Sequence, residues 1–407
     1  MKKNGFIMST YVYILLVFFL LLLGTMLVVL NNTRLLANKI KENTDGNIDF
    51  NLVLKGDKEI FIVKDSEYIE PGCIATTFDG EKLEVRVMGE VNAKKSGEYD
   101  IEYSAEYKGV EKKVKRKVIV GENLVTYITN LYEDSITRAS NNLKKDNTED
   151  KNIRYYGANP NNYVRFNNEL WRIIGIFGNN VKLIRNDRLG WLSWDTSEST
   201  VNSGYGINQW GESKDTSGNI YEGADLQVYL NKMYYGGIEV TCYNDLNNTK
   251  TTCPTGTIDE TSKSLIDYHT WNTGAPNVNI LYDSTTESYD TVERATTWTG
   301  YVGLPYGTDW AYASNENDCN TKIDQSSTYK CKNNNWMQMS TLAWYLSPYA
   351  DTFSASIVWL VFGGGDVYDG FAAHPHSTFP TIYLKSNVII ESGNGSTSDP
   401  YVLKLGN

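Results

Sequence analysis

Basic residues, histidine and cysteine are all scarce in this chain of 407 residues. Its 38 Lys and Arg residues are outnumbered by 49 Asp and Glu residues, which gives a formal net charge of −11 and a pI near 5.0. Nucleic acid affinity depends largely on Lys and Arg side chains that neutralise phosphates. The composition therefore argues against a nucleic acid partner.

The three histidines and the glycine-rich segments give no clear metal or phosphate site. His374 and His376 lie close together, but no cysteine is near them, and only Asp366 and Asp369 are nearby carboxylates. The run GGGD lacks the Lys and the helix start that a phosphate loop needs. We assign no metal ligand, no catalytic residue and no cofactor. Calcium at clustered oxygen ligands, such as those of Asn317–Cys319, is an alternative.

One long hydrophobic run, from Tyr11 to Leu30, lies near the N-terminus. It has twenty residues without a charge, and a helix of that length spans about 30 Å of hydrocarbon. The pattern predicts a single-pass transmembrane helix in the cell membrane, with the C-terminal ectodomain outside. A cleaved secretory signal is the alternative, because Lys2 and Lys3 form a basic segment before the run.

Four of the five cysteines form two closely spaced pairs in polar segments. Cys242 and Cys253 form one pair, and Cys319 and Cys331 form the other. Local disulfides in an oxidising extracellular environment are favoured, although four cysteines allow three connectivities. Zinc is less favoured because neither pair has C-x-x-C spacing. We expect Cys73 to be a small buried residue.

The first residues, MKKNGFIMSTYVYILLVFF, combine basic residues, Gly5, Phe6 and a long apolar run. This segment resembles a type IV prepilin. The resemblance implies peptidase cleavage between Gly5 and Phe6, and pilin-like subunits as partners. The chain departs from the family at Thr10, where pilins usually carry Glu.

Residues 53–120 alternate apolar and polar side chains in several short runs separated by turns, which predicts a small antiparallel sandwich. Four features resemble the bacterial immunoglobulin-like repeats of surface and pesticidal crystal proteins: YIEPG (Tyr68–Gly72), the turn Asp79-Gly80, SGEYDIEYSA (Ser96–Ala105) and the closing strand VKRKVIV. That resemblance implies a spacer or an adhesive module. We expect the basic run KKVKRK to be the solvated face of an edge strand.

The C-terminal region combines predicted strands, such as LWRIIGIF, VKLIR and VIIES, with a predicted helix at ADLQVYLNKMY. Four segments carry a resemblance to an uncharacterised domain common in surface proteins of gut Firmicutes: Arg154–Phe177, Trp298–Ala313, Leu346–Asp351 and Thr381–Leu403. The last segment is also distantly similar to domains with the fold of C-type lectins and formylglycine-generating enzymes. The resemblance implies architecture and location, without an activity.

All ten tryptophans lie between residues 171 and 359. Aromatic rings with a polar edge suit sugar rings and recognition surfaces. Trp191, Trp194, Trp310 and Tyr312 occur in polar sequence. These four are the predicted ligand-binding residues, for a glycan or a protein ligand.

Together these patterns predict a multidomain protein. Its predicted parts are a transmembrane or pilin-like helix (1–44), an immunoglobulin-like β-sandwich (53–120), a helix and linker (121–151), and an α+β ligand-binding domain with long loops (152–407). We expect a membrane-anchored surface protein that displays an adhesion domain on a spacer. A pilin-like minor subunit and a surface polymer-modifying enzyme are the alternatives.

Overall fold

A computed structural model describes most of the chain after residue 48. The described residues are 49–148, 150–196, 210–214, 220–221, 223–244, 250–273, 297–315, 331–337, 342–348, 357–361 and 367–407, together with 19, 22, 23, 25, 26, 30 and 33.

Strands dominate the described residues, and the helices are short. The strands, in chain order, are β1 (Phe50–Leu54), β2 (Glu59–Val63), β3 (Cys73–Thr77), β4 (Lys82–Leu83), β5 (Arg86–Met88), β6 (Gly97–Tyr107), β7 (Val110–Asn123), β8 (Leu143–Lys145), β9 (Ile153–Tyr155), β10 (Tyr163–Phe166), β11 (Glu169–Phe177), β12 (Asn180–Arg185), β13 (Gly190–Ser193), β14 (Ser213–Lys214), β15 (Ile220–Tyr221), β16 (Cys242–Tyr243), β17 (Lys250–Thr251), β18 (His269–Asn272), β19 (Thr297–Gly300), β20 (Val302–Gly303), β21 (Ala343–Pro348), β22 (Ile357–Val361), β23 (Val367–Phe371), β24 (Pro375–Thr378), β25 (Thr381–Tyr383), β26 (Val388–Ser392) and β27 (Tyr401–Leu405). The α-helices are α1 (Leu124–Glu133), α2 (Ser135–Ser140), α3 (Asp225–Val228), α4 (Glu260–Leu265) and α5 (Gly307–Tyr312), and a π-helix covers Tyr229–Tyr235.

The chain divides into two compact units. The first consists of Met1–Ile60, Tyr68–Asn92 and Glu98–Val118, and the second of Phe61–Glu67, Ala93–Gly97 and Ile119–Asn407. Each unit has its own cluster of buried apolar side chains.

The first unit is built from antiparallel strands. β3 pairs with β1 on one side and with β4 on the other, and β5 pairs with β6. Lys108 and Gly109, which connect β6 to β7, have φ angles of 49° and 83°. Positive φ at both central residues is what a type I′ hairpin turn requires. Phe50, Ala75 and Ala105 form the buried cluster of this unit.

Arg116 lies inside the first unit, although it belongs to the basic run KKVKRK. Its side chain is fully buried, and its Nε donates to the carbonyl of Asp57 at 3.0 Å. Its Nη1 donates to the carboxylate of Glu70 and to the Tyr103 hydroxyl. The prediction that this run is a solvated face is therefore wrong at Arg116. The period-two alternation of β7 turns every second side chain inward.

The second unit contains two larger sheets. The main sheet has the order β20-β25-β12-β11-β10-β27-β26, with β9 on β11 and β8 on β9. β10 and β27 run parallel, whereas β12 is antiparallel to both of its neighbours. The other sheet has the order β13-β24-β21-β22-β23. The core of this unit is rich in aromatic rings, including Trp171, Trp271 and Trp344, each at 0% exposure.

Several predicted elements are confirmed. The predicted strands LWRIIGIF, VKLIR and VIIES are β11, β12 and β26, and the two predicted helices are α1 and the run from α3 into the π-helix. Part of the linker expected within residues 121–151 is folded and buried. It contains β8, and Asp146 in it is 2% exposed because its carboxylate is paired with Arg154.

The predicted fold class is wrong in two respects. Among the described residues, no helix is long and apolar enough to cross a membrane. Most of residues 11–30, where the transmembrane helix was predicted, lie outside the described residues. The α+β description of residues 152–407 also fails, because the described helices there have only four to seven residues and strands form most of the core. The described residues thus give no support to the predicted transmembrane helix or to a single-pass anchor.

The Arg116 contacts predict how the first unit responds to mutation. Glu70→Ala leaves a buried guanidinium without its carboxylate, and loss of one partner of a buried pair costs about 3 kcal/mol. We expect a correspondingly lower free energy of unfolding in urea titrations. Glu98→Ala is the matched control, since it removes the partner of the exposed Lys117 and should change stability little. Equal losses in the two variants would contradict this role of Glu70.

Candidate functional site

Three tyrosines form a partly exposed aromatic surface on the second unit. The rings of Tyr235 and Tyr301 are stacked, with centroids 4.0 Å apart and an angle of 12° between planes. Tyr268 lies next to Tyr301 at 4.8 Å and is 60% exposed. We call Tyr235, Tyr268 and Tyr301 the tyrosine platform.

Strand register brings two of these tyrosines together. In the antiparallel pair of β18 and β19, His269 is opposite Gly300. Tyr268 immediately precedes β18 and Tyr301 immediately follows β19. Because antiparallel strands run in opposite directions, both tyrosines lie at the same end of this ribbon.

Asn231 joins the third tyrosine to the other two. It lies in the π-helix four residues before Tyr235, and its Oδ1 accepts from the backbone N–H groups of Tyr301 at 3.2 Å and Val302 at 3.0 Å. Its Nδ2 donates to the carbonyls of Val302 at 2.9 Å and Gln227 at 3.1 Å. The amide thus uses both of its donors and both acceptor positions. It fixes the helix that carries Tyr235 against the strand that follows Tyr301.

Charged groups border the tyrosine platform. The Lys263 ammonium lies 5.5 Å from the centre of the Tyr235 ring and 2.7 Å from the Glu260 carboxylate. Burial and the neighbouring Tyr301 raise the pKa of Tyr235 to about 12. The Tyr235 hydroxyl therefore stays protonated at neutral pH and can donate a hydrogen bond.

His269, the residue after Tyr268, connects this part of the chain to the core. Its ring stacks on Tyr383 with centroids 3.7 Å apart, and its Nδ1 lies 3.0 Å from Asp267. Burial lowers the pKa of His269 and outweighs the opposing effect of Asp267. Tyr383 is opposite Lys182 in the pairing of β12 and β25.

Lys182 belongs to a group of four buried charged side chains that we call the buried ionic cluster: Asp146, Arg154, Lys182 and Asp309. Arg154 donates to Asp146 at 2.7 Å and to Asp309 Oδ1 at 2.8 Å, and Lys182 Nζ lies 2.5 Å from Asp309 Oδ2. Burial alone would raise the pKa of Asp309, but Lys182 and Arg154 outweigh it and hold that pKa below its usual value. Two positive and two negative groups balance.

The structure separates the four predicted ligand-binding residues. Trp191 is 42% exposed, and the Arg188 guanidinium lies 5.3 Å from its ring. Trp194, Trp310 and Tyr312 are at most 1% exposed. We therefore remove these three from the binding surface, because they pack in the core and present no face to a ligand. At Trp191 ligand binding stays a prediction.

The cysteines are partly described. A disulfide joins Cys242 to Cys253, as predicted, and Cys331 is also disulfide-bonded. Cys319 lies outside the described residues, as do Gly5 and Phe6 of the predicted processing site. Cys73 is a free, half-buried thiol whose Sγ lies 3.1 Å from the carbonyl oxygen of Val53.

The histidine pair shows no metal-binding arrangement in the described part of the chain. No group of three or more His, Cys, Asp or Glu side chains there is placed to hold a metal ion. His376 packs edge-on against Trp344, with centroids 4.5 Å apart, and its Nδ1 has no hydrogen-bond partner. Burial and, to a lesser extent, His374 lower the pKa of His376 to about 4.

Sequence reasoning missed the tyrosine platform. The chain has 29 tyrosines, and none of these three stands out among them. A partial signal exists, since Tyr268 precedes the strand HTWN and Tyr301 follows the strand TWTG. The pairing of those two strands, which are far apart in sequence, is visible only in the fold.

Comparison with known proteins identifies part of the chain. Residues 52–120 match the family model described as "Bacterial surface protein, Ig-like domain". This match confirms the predicted immunoglobulin-like domain and supports a surface protein at the cell surface. No curated protein matches the chain.

Two solved structures show limited similarity. A lipoprotein from Bacteroides thetaiotaomicron is 31% identical over 18% of this chain and 39% of its own, with a TM-score of 0.18. The CBM51-2 domain in complex with GlcNAc and the INT domains, from Clostridium perfringens ZmpB, are 13% identical over 36% of this chain and 32% of theirs, with a TM-score of 0.16. The chain thus matches less than half of the length of either structure.

The hydrogen bonds of Asn231 predict a coupled loss of stability and local order. Asn231→Ala removes four hydrogen bonds and leaves backbone groups of Tyr301 and Val302 without this partner, which costs about 1–3 kcal/mol. We expect a lower free energy of unfolding and faster amide exchange at Tyr301 and Val302. Unchanged exchange at these two amides would contradict the positioning role of Asn231.

The low pKa of His376 predicts a pH dependence. The pKa of His376 is 6.5 in the unfolded chain and about 4 in the folded chain. Between these two pH values the unfolded chain binds a proton that the folded chain does not, so stability falls as the pH falls. Between about pH 7 and pH 5, His376→Gln should flatten the decline of the melting temperature. His269 acts in the same direction, so part of the slope remains.

His374→Gln is the matched control for His376, because it changes the neighbouring imidazole of the same strand region. It should leave most of the slope in place. Equal flattening by both substitutions, or by neither, would show that burial of His376 does not set the pH dependence.

Proposed function

We propose that this chain is a bacterial surface protein whose second unit binds glycans on the tyrosine platform, with the immunoglobulin-like domain as a spacer. The observation that carries the proposal is a cluster of three aromatic rings, in which Tyr235 stacks on Tyr301 and the 60% exposed Tyr268 is tilted against Tyr301. A tyrosine presents an apolar face to the carbon-bound hydrogens of a sugar and a hydroxyl to its polar groups.

The geometry of the platform favours binding without reorganisation. The Asn231 amide holds the π-helix and β20 together, and His269, next to Tyr268 in the chain, stacks on the buried Tyr383. Aromatic groups that are fixed before the ligand arrives lose little conformational entropy on binding. A rigid platform therefore suits a weakly interacting ligand such as a short oligosaccharide.

Charge indicates which glycans fit. Residues 152–407 contain 16 Lys and Arg against 26 Asp and Glu, a net charge of −10. Such a domain repels polyanionic glycans at low ionic strength. Asp267 and Glu260, in contrast, offer carboxylate oxygens near the platform that accept hydrogen bonds from neutral sugar hydroxyls. We therefore propose neutral oligosaccharides as ligands.

Trp191 is the second candidate contact. Its exposed ring under the Arg188 guanidinium provides a separate aromatic surface on β13. A glycan that reached Trp191 in place of the tyrosines would still be bound by the second unit. The two sites differ in which substitution removes binding.

The proposal predicts a loss of affinity on removal of one ring. With a panel of neutral chito-, cello-, xylo- and malto-oligosaccharides, Tyr268→Ala should weaken binding about tenfold in calorimetric titrations, which corresponds to about 1.4 kcal/mol. Phe371→Ala is the matched control, because Phe371 is also an exposed ring, at 50%, on another sheet. It should leave the affinity unchanged.

Two results would contradict the proposal. Absence of binding to every oligosaccharide in the panel by the unmodified protein would overturn glycan binding. Binding that survives Tyr268→Ala and disappears with Trp191→Ala would move the site to β13.

A further inference from the structure

Lys182 and Asp309 form an unusual contact inside the second unit. The Lys182 ammonium lies 2.5 Å from Asp309 Oδ2, and the two residues are 127 positions apart in the chain. Both side chains are fully buried. An amine and a carboxylate held at this distance, away from bulk water, are the two reactants of an amide bond.

Aromatic rings surround the Lys182 ammonium. The nearest is Tyr306, whose ring centroid is 4.0 Å away. Phe177, Trp271 and Tyr383 follow at 5.3, 5.5 and 5.3 Å. In bulk water an amine and a carboxylate remain separate, hydrated ions. Here the rings exclude most of that water, and both ions pay a desolvation penalty that formation of a neutral amide would remove.

We propose that Lys182 Nζ and Asp309 Cγ become joined by an intramolecular amide bond in the folded protein. Lys182 and Arg154 favour the ionised carboxylate, so the first step, transfer of a proton from the ammonium to Oδ2, is uphill and makes the reaction slow. It leaves a neutral amine and a carboxylic acid. The nitrogen lone pair then attacks Cγ and forms the Nζ–Cγ bond. A second proton passes to Oδ2, the Cγ–Oδ2 bond breaks, and one water molecule leaves. The condensation requires no oxidant or other co-reactant.

Arg154 is placed to assist this step. Its Nη1 donates to Asp309 Oδ1 at 2.8 Å. Oδ1 is the oxygen that remains in the amide after water leaves. Negative charge develops on that oxygen when the amine attacks Cγ, and a fixed cationic donor stabilises it. The backbone N–H of Tyr306 donates to Oδ2 at 2.9 Å and fixes the orientation of the carboxyl group. Arg154 is therefore a positioning residue for the reaction.

The charge balance of the buried ionic cluster is the same before and after condensation. Before the reaction, Lys182 and Arg154 balance Asp309 and Asp146. Afterwards, Lys182 and Asp309 are both neutral, and Arg154 still pairs with Asp146 at 2.7 Å. No buried charge is left alone. The product thus avoids the penalty that follows when one member of a buried ion pair is removed.

The bond would link β12 to α5 covalently. Lys182 lies on β12, an interior strand of the main sheet, and Asp309 lies in the first turn of α5. A covalent link between them would keep this part of the second unit closed during local unfolding. That property is useful to a domain exposed to proteases and force outside the cell, although the bond does not depend on any particular ligand.

Mass spectrometry of the full chain, fully reduced, tests the proposal. We expect the intact mass to be lower than the sequence mass by one water molecule, after correction for N-terminal processing. Trypsin should fail to cleave after Lys182. Tandem spectra should identify one branched peptide that contains both Lys182 and Asp309. Loss of water within one peptide, as in a succinimide, would keep the two peptides separate.

Two substitutions complete the experiment. Lys182→Arg removes the nucleophilic amine and should restore the lost water. Lys385→Arg is the matched control, because the Lys385 ammonium donates to a backbone carbonyl, that of Ser264 at 2.7 Å, and not to a carboxylate. This substitution should leave the mass deficit unchanged. The unmodified protein decides the question even if Lys182→Arg folds poorly. Full retention of water, with complete cleavage after Lys182, would overturn the proposal.

Discussion

The buried ionic cluster is the interaction on which the rest of the second unit depends. Removal of four charged groups from water is expensive, so these side chains must come together correctly paired as the unit folds. That requirement fixes β9, β12 and α5 relative to one another through Arg154, Lys182 and Asp309. Lys182 is also paired across the sheet with Tyr383, whose ring stacks on His269, the residue after Tyr268. Contacts through Tyr383 and His269 thus connect the buried ionic cluster to the tyrosine platform.

Local structure could largely be predicted from the sequence, because it depends on residues that are close in the chain. The β-branched and apolar run VKLIR predicts β12, and the i, i+4 spacing in ADLQVYLNKMY predicts the helix. The short interval between Cys242 and Cys253 likewise predicts their disulfide. The prediction for Arg116 was wrong, because the pattern of charges in KKVKRK does not show that the carboxylate of Glu70 pairs with Arg116 inside the fold.

The candidate site could not be predicted because it depends on long-range pairing. Tyr268 and Tyr301 meet through the register of β18 and β19, and Asn231 adds Tyr235 from a distant helix. The polar sequence around Trp194 and Trp310 suggested exposure, but both rings lie in the core. Polar residues next to a tryptophan in sequence do not determine its exposure, because burial depends on which helices and strands pack against the ring.

The chain combines an immunoglobulin-like domain with a second unit that carries the tyrosine platform. A crystal structure of the protein with a bound neutral oligosaccharide tests whether this platform binds glycans. We expect a sugar ring in contact with Tyr268 and Tyr301, with the Asn231 hydrogen bonds to Tyr301 and Val302 unchanged. A sugar bound at Trp191 or elsewhere, with the tyrosine platform empty, would contradict this expectation.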